Sequence, residues 1–243
     1  MLRLIKVTVF LGTVVIFLPG CATYRTHPTF KERQREIQTV AVLPPEVEVV
    51  KITFKGDQEL MYDLIGLVAK QSKEEIENVF REKGYDVHSL ELSEEELNST
   101  PDLKTDLFNL REIYVKTLED ISKRRQKKFT YSVGSDVNRF ADLSQSEVLV
   151  LTKVDAFKKT KGEIAKDLAK SILIAVVTGI QVHSLHDAVS IRLAVVDGNT
   201  GDILWLNAMP GGGVDAAKEK ELRKAVRSLL QPFPKRKGEE PLP

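Results

Sequence analysis

Two histidines and an aspartate lie close together in the second half of the chain, at His183, His186 and Asp187. Residues three apart on a helix face the same side, so both imidazoles can bind one metal ion. Two nitrogens, the carboxylate and a water would suit zinc. No catalytic signature surrounds them, and polar side chains at the entrance to the next strand are the commoner explanation. We therefore assign no metal site, no cofactor and no catalytic residue.

Three consecutive glycines, Gly211, Gly212 and Gly213, precede a helix predicted to begin near Asp215. Free backbone amides at a helix N-terminus can bind an anion. No Lys-Ser/Thr pair follows the glycines, however, and the Asp215 carboxylate would itself occupy the helix N-terminus. We interpret the glycines as a flexible loop between a strand and a helix.

Cys21 is the only cysteine, and it ends a short apolar segment near the start of the chain. Arg3 and Lys6 precede an apolar run over 7–18. This run is shorter than the roughly 20 residues that a membrane-spanning helix needs, so export and cleavage are favoured over a permanent span. A lone thiol also excludes internal disulfides and thiolate metal sites.

The sequence LPGC over 18–21 resembles the lipobox of bacterial lipoprotein signals. The resemblance implies a signal peptide over 1–20, cleavage before Cys21, and attachment of acyl chains, palmitate among them, to that cysteine. Several acyl chains hold a protein stably on a bilayer at about 0.8 kcal/mol per buried methylene. Ala22 stands where an aspartate would retain a lipoprotein at the inner membrane. The resemblance thus implies a lipid anchor in the outer membrane, facing the periplasm; an ordinary secretory signal is the alternative.

The charges of the chain are balanced, with 36 Lys and Arg against 35 Asp and Glu. A net charge of +1 gives no general attraction to nucleic acid, and none of the usual nucleic-acid-binding motifs is present. We expect no nucleic-acid partner. The polar residues 21–38 have no periodicity and are predicted to form a lipidated tether. A single α/β periplasmic domain is predicted over 39–231, followed by a disordered tail over 232–243.

Several apolar runs predict strands. The runs over 40–43 and 147–157 are apolar on both faces, which is typical of strands in the middle of a sheet. An extended segment over 46–54 shifts phase and predicts a bulge near Val49. A further strand is predicted over 85–92.

Apolar residues at helical spacing predict three helices, over 57–83, from 100 to about 121, and over 215–231. Residues 93–99 are predicted to form an acidic loop. The second helix ends in a basic run over 123–128. We interpret these cations as complementing the helix C-terminus, with a patch for anionic glycan or lipid headgroups as the alternative.

The clearest local unit is an antiparallel hairpin, predicted from two β-rich runs over 188–197 and 202–207. The residues DGNTG at 197–201 join them and favour a tight turn. Trp205, in the second run, is expected to pack in the core. Strands interleaved with helices, then this hairpin and a final helix, predict an α/β (α+β) fold with a mixed β-sheet and helices packed on it.

Three stretches in this order resemble a known domain class: VAVLP at 40–44, SEVLVL at 146–151 and RLAVVDGNTGDILW at 192–205. The class is that of the TolB amino-terminal region, the curli secretion channel lipoprotein and the lipoprotein activators of peptidoglycan synthases. The resemblance implies a non-catalytic assembly or scaffold module of the cell envelope, with self-association or an envelope protein as partner. A monomeric periplasmic ligand-binding sensor and an enzyme with a dispersed site are the alternatives.

The segment 158–180 interrupts the sheet between two strands. Its first half has one basic and one apolar face, and residues 171–180 are apolar all round. This run is too short to cross a bilayer as a helix and lacks the alternation of a barrel strand. Three interpretations remain open. The run is the end of a helix buried in the core, an exposed element used for self-association or membrane contact, or a strand of a pore. The possible interface residues are Ile172, Ile174, Val176 and Val177.

Overall fold

The computed structural model describes residues 24–52, 58–90, 92, 94–123, 128–159, 187–210 and 213–236. These residues form one mixed sheet with helices packed on both faces. This confirms the predicted α/β class, the mixed sheet, and the C-terminal hairpin followed by a helix.

The described part of the sheet has eight strands. Their bounds are β1 Arg25–Thr26, β2 Thr39–Val42, β3 Glu46–Ile52, β4 Gln58–Leu60, β5 Asp86–Ser89, β6 Val148–Lys159, β7 Ala188–Asp197 and β8 Ile203–Met209. The main order is β1-β8-β7-β6-β2-β5, and β3 pairs with both β6 and β4. β6 is parallel to β2 and β3, whereas β7 and β8 form the predicted antiparallel hairpin.

Strands β2 and β3 follow one another along the same edge of β6. Val42 pairs with Val150, and Glu46 pairs with Lys153. Between these paired positions, three residues (43–45) lie on the β2–β3 side and only two (151–152) lie on β6. The extra residue, a bulge, therefore lies at 43–45. The prediction of a bulge near Val49 is wrong. The ladder is interrupted earlier in the chain, because prolines 44 and 45 have no N–H to donate to it.

The helices of the described residues are α1 Phe30–Glu36, α2 Tyr62–Glu82, α3 Glu94–Ser99, α4 Pro101–Lys123, α5 Val137–Ser144 and α6 Glu219–Leu230. The three predicted helices are confirmed as α2, α4 and α6, but α2 and α6 begin later than expected. Residues 58–60 form β4 because they pair with 50–52 of β3. The acidic loop predicted over 93–99 is wrong, since α3 forms there.

One face of the sheet is covered by α1, α2 and α6. Trp205 is fully buried on this face, as predicted, and its ring meets Phe233 edge-on at 5.2 Å between centroids. The inward residues of β7 lie on the same face, as expected from their alternation: Val189, Ile191, Leu193 and Val195. Large aromatic rings that interlock in this way bury much apolar area and fix the positions of their neighbours.

The opposite face is covered by α4 and α5. Leu107, Leu110 and Tyr114 of α4 pack with Leu149 and Leu151 of β6. The buried hydroxyl of Tyr114 lies 3.2 Å from the carbonyl oxygens of Leu151 and Arg192, so it is satisfied by the backbone of the two central strands. Burial raises the pKa of this phenol, which keeps it protonated and able to donate.

The prediction of a free tether over 21–38 is wrong for residues 25–37. Strand β1 pairs with β8, and Phe30 and Ile37 at either end of α1 are buried. The Arg33 guanidinium donates two hydrogen bonds to Asp197, at 2.9 and 2.6 Å. The polar sequence conceals this packing because only two of its residues reach the core.

The prediction of a disordered tail from residue 232 is wrong for its first residues. Phe233 is only 2% exposed, and its ring packs among those of Phe80, Tyr85 and Trp205. The amide of Arg236 donates to the Lys83 carbonyl oxygen at 2.9 Å. One aromatic side chain thus holds the segment after α6 against the domain.

None of the described helices combines the length and the apolar character needed to cross a bilayer.

Candidate functional site

The two ends of the sheet differ in how the chain leaves them. At the closed end, β7 turns directly into β8 through residues 197–203. At the open end, β6 ends at Lys159, β7 begins at Ala188, and β8 ends at Met209. Phe157 pairs with Ala188, and Met209 pairs with Ile191 three residues further along β7. The residues at which β6 ends, β7 begins and β8 ends therefore all lie at the open end.

Strand β1 begins at the same end of the sheet. Arg25 pairs with Leu206, and Thr26 pairs with Trp205, in antiparallel register. Since β8 runs toward the open end, β1 runs away from it, and Arg25 is the residue of β1 nearer that end. Only Ala22, Thr23 and Tyr24 separate the cysteine from β1, and the strands β1 and β7 are about 10 Å apart, two strand spacings.

Aromatic and cationic side chains surround β1. The Tyr24 ring stacks on Trp205, with 6.1 Å between centroids and 26° between planes. The Arg25 guanidinium lies over the Phe129 ring, 6.0 Å from its centroid, on the other face of the strand. This arrangement fixes both sides of an edge strand and brings residue 128, the last of the basic run, beside it.

A lysine holds the open end together. Lys158 Nζ lies 2.9 Å from Asp215 and 3.6 Å from Asp187. The hydrogen bond that Lys158 donates to Asp215 is the main cause of a raised pKa at Lys158. Burial would raise the pKa of Asp215, but the lysine and the Ala217 amide outweigh it and lower that pKa. The Lys158 ammonium is thus a cation held between two carboxylates. Its two ion pairs link β6 to the start of β7 and to the segment before α6.

The other face of the sheet carries a buried ionic cluster. Lys153 Nζ lies 2.7 Å from Glu46 and 3.5 Å from Asp155, and Arg192 pairs with the second oxygen of Asp155. Burial would lower the pKa of Lys153, but the two carboxylates outweigh it and raise that pKa. Two cations and two anions leave the cluster neutral. It joins β3, β6 and β7 and offers no net charge to a ligand.

Two cavities lined by described residues are small. One lies between β6 and α4, beside Arg111, Tyr114 and Thr152, and has a volume of about 10 Å³. Another, beside Glu48, Asp155 and Phe157, has about the same volume of 10 Å³. A space of this size holds one water molecule.

Exposed apolar side chains lie at the edge opposite β1. Leu60, Tyr62 and Leu67 are 47%, 75% and 41% exposed where β4 leads into α2. On the α4 and α5 side, Phe108 and Leu143 are 62% and 54% exposed. These last two lie singly among polar residues, as surface apolar residues commonly do.

The site residues predicted from the sequence fall in different places. Several of them lie outside the described residues. These are Cys21, His183, His186, the middle of the basic run at 124–127, and the possible interface residues Ile172, Ile174, Val176 and Val177. Asp187 is described and pairs with Lys158. In the described part of the chain, no group of three or more potential ligands can hold a metal ion.

The glycine segment does not sit at a helix N-terminus. Of its three residues Gly213 is described, and α6 begins only at Glu219. The Asp215 carboxylate binds Lys158 and the Ala217 amide instead of a helix end. The interpretation as a connecting loop therefore fits the described residues better than an anion site does.

The sequence analysis did not predict the β1 edge or the ionic cluster. Three residues, Tyr24, Arg25 and Thr26, are too few to establish a period. The charges at Lys153 and Asp155 do stand inside an otherwise apolar strand, and such charges require partners when they are buried. From this pattern the cluster could have been predicted.

No protein-family model and no curated protein matches the chain. Among solved structures, a PelC dodecamer from Paraburkholderia phytofirmans is similar, with 11% identity and a TM-score of 0.40, covering 88% of this chain and 96% of that one. A PelC variant from the same organism has 12% identity and a TM-score of 0.37, covering 82% and 89%. Lipoprotein GNA1162 from Neisseria meningitidis has 15% identity and a TM-score of 0.34, covering 80% and 98%. At these values the likeness assigns no function to this chain.

Proposed function

We propose that this chain is a lipid-anchored protein of the bacterial envelope that acts as a non-catalytic assembly or scaffold module. The lipobox-like sequence ending at Cys21 supports the anchor, and the outer membrane facing the periplasm is its proposed location. The observation that carries the assembly role is topological. The start of β1, the end of β6 and the start of β7 all lie at the open end of the sheet.

This arrangement bears on the apolar run at 171–180. This run lies in the sequence between Lys159, the last residue of β6, and Asp187, which precedes β7. With the lipid at Cys21, an apolar element joined to this end of the sheet would contact the membrane surface or a neighbouring anchored molecule. Residues Ile172, Ile174, Val176 and Val177 are the proposed contact residues.

The small cavities favour assembly over ligand sensing. A drug-sized ligand needs a pocket of about 300 Å³ or more. The cavities between β6 and α4 and beside Asp155 have volumes of about 10 Å³. Neither of these two cavities can enclose a small molecule, which supports a role in presenting surfaces.

The anchor is tested by Cys21→Ser. We expect this variant to lose metabolic labelling with a fatty acid and to leave the membrane fraction. Separation of inner and outer membranes on a density gradient then locates the wild-type protein. A Cys21→Ser protein that stays labelled and membrane-bound would place the anchor elsewhere.

The assembly role is tested by replacing Ile174 and Val177 with lysine. The wild-type and variant proteins, both lipidated, are compared by crosslinking and light scattering in mild detergent. We expect the variant to keep the wild-type circular dichroism and to lose the oligomer or its envelope partner. Phe108→Lys with Leu143→Lys, both at exposed positions, is the matched control and should keep the wild-type assembly.

Two results would contradict the proposal. An unfolded Ile174→Lys, Val177→Lys variant would mean that the run belongs to the core of the domain. A folded variant with unchanged assembly and unchanged membrane affinity would show that the run has no contact role.

A further inference from the structure

The distance between the lipid site and the folded domain is limited by covalent geometry. Four Cα–Cα steps separate Cys21 from Arg25, and a fully extended chain covers at most about 3.6 Å per residue. The first paired residue of the sheet therefore lies within about 14 Å of the acylated cysteine. With the lipid at Cys21, this limit keeps the β1 end of the domain close to the bilayer.

The side chains at that surface are those favoured at a membrane interface. Tyr24 is 37% exposed and directly precedes the strand. Arg25 and Phe129 stack on each other at 6.0 Å, and Lys128 is exposed next to that ring. Tyrosine is enriched at the headgroup level of bilayers, and long cationic side chains keep their charge there while their stems cover apolar surface.

The charge at this edge is complementary to one class of surface. Among the described residues of this edge, Arg25 and Lys128 are cations. An anionic bilayer attracts each basic residue near its surface, and the attraction fades within a Debye length of about 8–10 Å. The link from Cys21 to Arg25, at most about 14 Å, is short enough for Arg25 to reach that range. β1 is also the edge strand of the described sheet, so the described residues on this side leave it open to an outside surface.

We propose that the β1 edge rests on the membrane, with Tyr24 at the level of the lipid headgroups and Arg25 and Lys128 against anionic phosphates. This inference depends on the proposed function only through the lipid at Cys21. The domain is then docked in one orientation, with the open end of its sheet directed along or into the membrane surface.

The protein contains its own probe of this contact. Trp205 is the only tryptophan of the chain, and it lies one ring behind Tyr24 at 6.1 Å. The lipidated full-length mature chain is reconstituted in vesicles of phosphatidylcholine, with or without phosphatidylglycerol, carrying a nitroxide on the headgroup. We expect quenching of Trp205 fluorescence, and stronger quenching in the vesicles that contain phosphatidylglycerol.

Charge reversal separates docking from simple proximity. In the lipidated chain, Arg25→Glu and Lys128→Glu should each reduce the quenching toward the level in pure phosphatidylcholine. In the unlipidated Cys21→Ser chain, each should lower partitioning onto phosphatidylglycerol vesicles by about fivefold or more. Lys128→Glu leaves the β1 pairing untouched, so it tests the proposal even if Arg25→Glu does not fold. Lys116→Glu on α4, exposed and remote, is the matched control and should change neither reading.

The outcomes distinguish this proposal from the assembly role. A lipidated, vesicle-bound protein whose Trp205 is quenched equally in both lipids and in both variants would overturn the docking and leave the anchor intact. Unquenched Trp205 together with crosslinks between cysteines introduced at Arg25 of two molecules would also overturn it, since a second copy would then cover β1. Failure of the assembly proposal would show instead in the lysine variants of 174 and 177.

Discussion

The closed and open ends of the sheet are formed by the same strands, β6, β7 and β8, but differ in the contacts found there. At the closed end, Asp197 accepts hydrogen bonds from the amides of Asn199 and Thr200 and from Arg33 of α1. Gly201 lies against the backbone of Gly134, and its oxygen accepts from the Val133 amide. Backbone pairing and a buried carboxylate therefore close this end completely.

At the open end, Lys158 with Asp187 and Asp215 joins β6, β7 and the α6 region. The last residue of β6 there is Lys159, and the next described residue is Asp187. Under the proposed function, stability and contact with the surroundings are thus separated in space. Substitutions at the closed end should unfold the domain, whereas substitutions at the open end should change what the folded domain contacts.

The largest effect is expected for Trp205→Ala, in the half of β8 nearer the closed end. The side chain is fully buried against Phe233, and its removal leaves a large cavity. We expect a loss of about 3–5 kcal/mol in the free energy of unfolding. Urea unfolding followed by circular dichroism measures it, because the substitution removes the fluorophore. Trp205→Phe is the control and should cost much less; wild-type stability in Trp205→Ala would contradict the comparison.

Gly201→Ala tests the closing turn. The backbone at Gly201 has φ of +74°, and a Cβ there would clash with the backbone oxygen of Gly134. Strained φ and steric overlap together should cost about 3 kcal/mol. Gly66→Ala in α2 is the matched control, because it has no heavy atom within 4 Å of the new methyl group. That control should be neutral or slightly stabilising, since alanine favours a helix.

Asp197→Asn tests the carboxylate that joins the turn to α1. Burial would raise the pKa of Asp197, but hydrogen bonds from Arg33 and the turn amides outweigh it and lower that pKa. The stabilisation is complete above the ordinary carboxyl pKa of about 4 and is lost as the pH falls through the lower pKa of the folded protein. We expect Asp197→Asn to cost about 2 kcal/mol at neutral pH.

The pH dependence supplies the decisive measurement for this substitution. The difference in unfolding free energy between the wild type and Asp197→Asn should shrink as the pH falls below about 4. Asp142→Asn, at an exposed position of α5, is the control and should show no such change. A difference that is constant with pH would mean that the carboxylate charge does not hold the turn.

The smallest effect on stability is expected at the open end. Lys158→Met removes the ion pairs with Asp215 and Asp187, and the side chain is 23% exposed. We expect a loss of about 1 kcal/mol or less, because partly exposed ion pairs are weak. The same urea titration measures it, with Lys116→Met on α4 as the control. A loss as large as that of Gly201→Ala would abolish the distinction between the two ends.

The sequence determined the local units of this protein. The hairpin follows from two β-rich runs around a tight turn, and the helices α2, α4 and α6 follow from apolar residues at helical spacing. The burial of Trp205 was expected because a large aromatic residue within a strand usually packs in the core, and the apolar face of β7 follows from alternation. Each of these depends on residues near one another in the chain, for which a periodic pattern is sufficient evidence.

The tertiary structure alone decided which distant segments meet. Nothing in the spacing of Tyr24, Arg25 and Thr26 indicates pairing with β8, and Phe233 is a single aromatic residue in a proline-rich tail. The members of the ionic cluster around Lys153 come from three strands, and the bulge lies at 43–45 because two prolines meet the ladder there. Contacts of this kind depend on the fold of the whole chain: strand pairing and side-chain packing join residues far apart in sequence, and no local period records them.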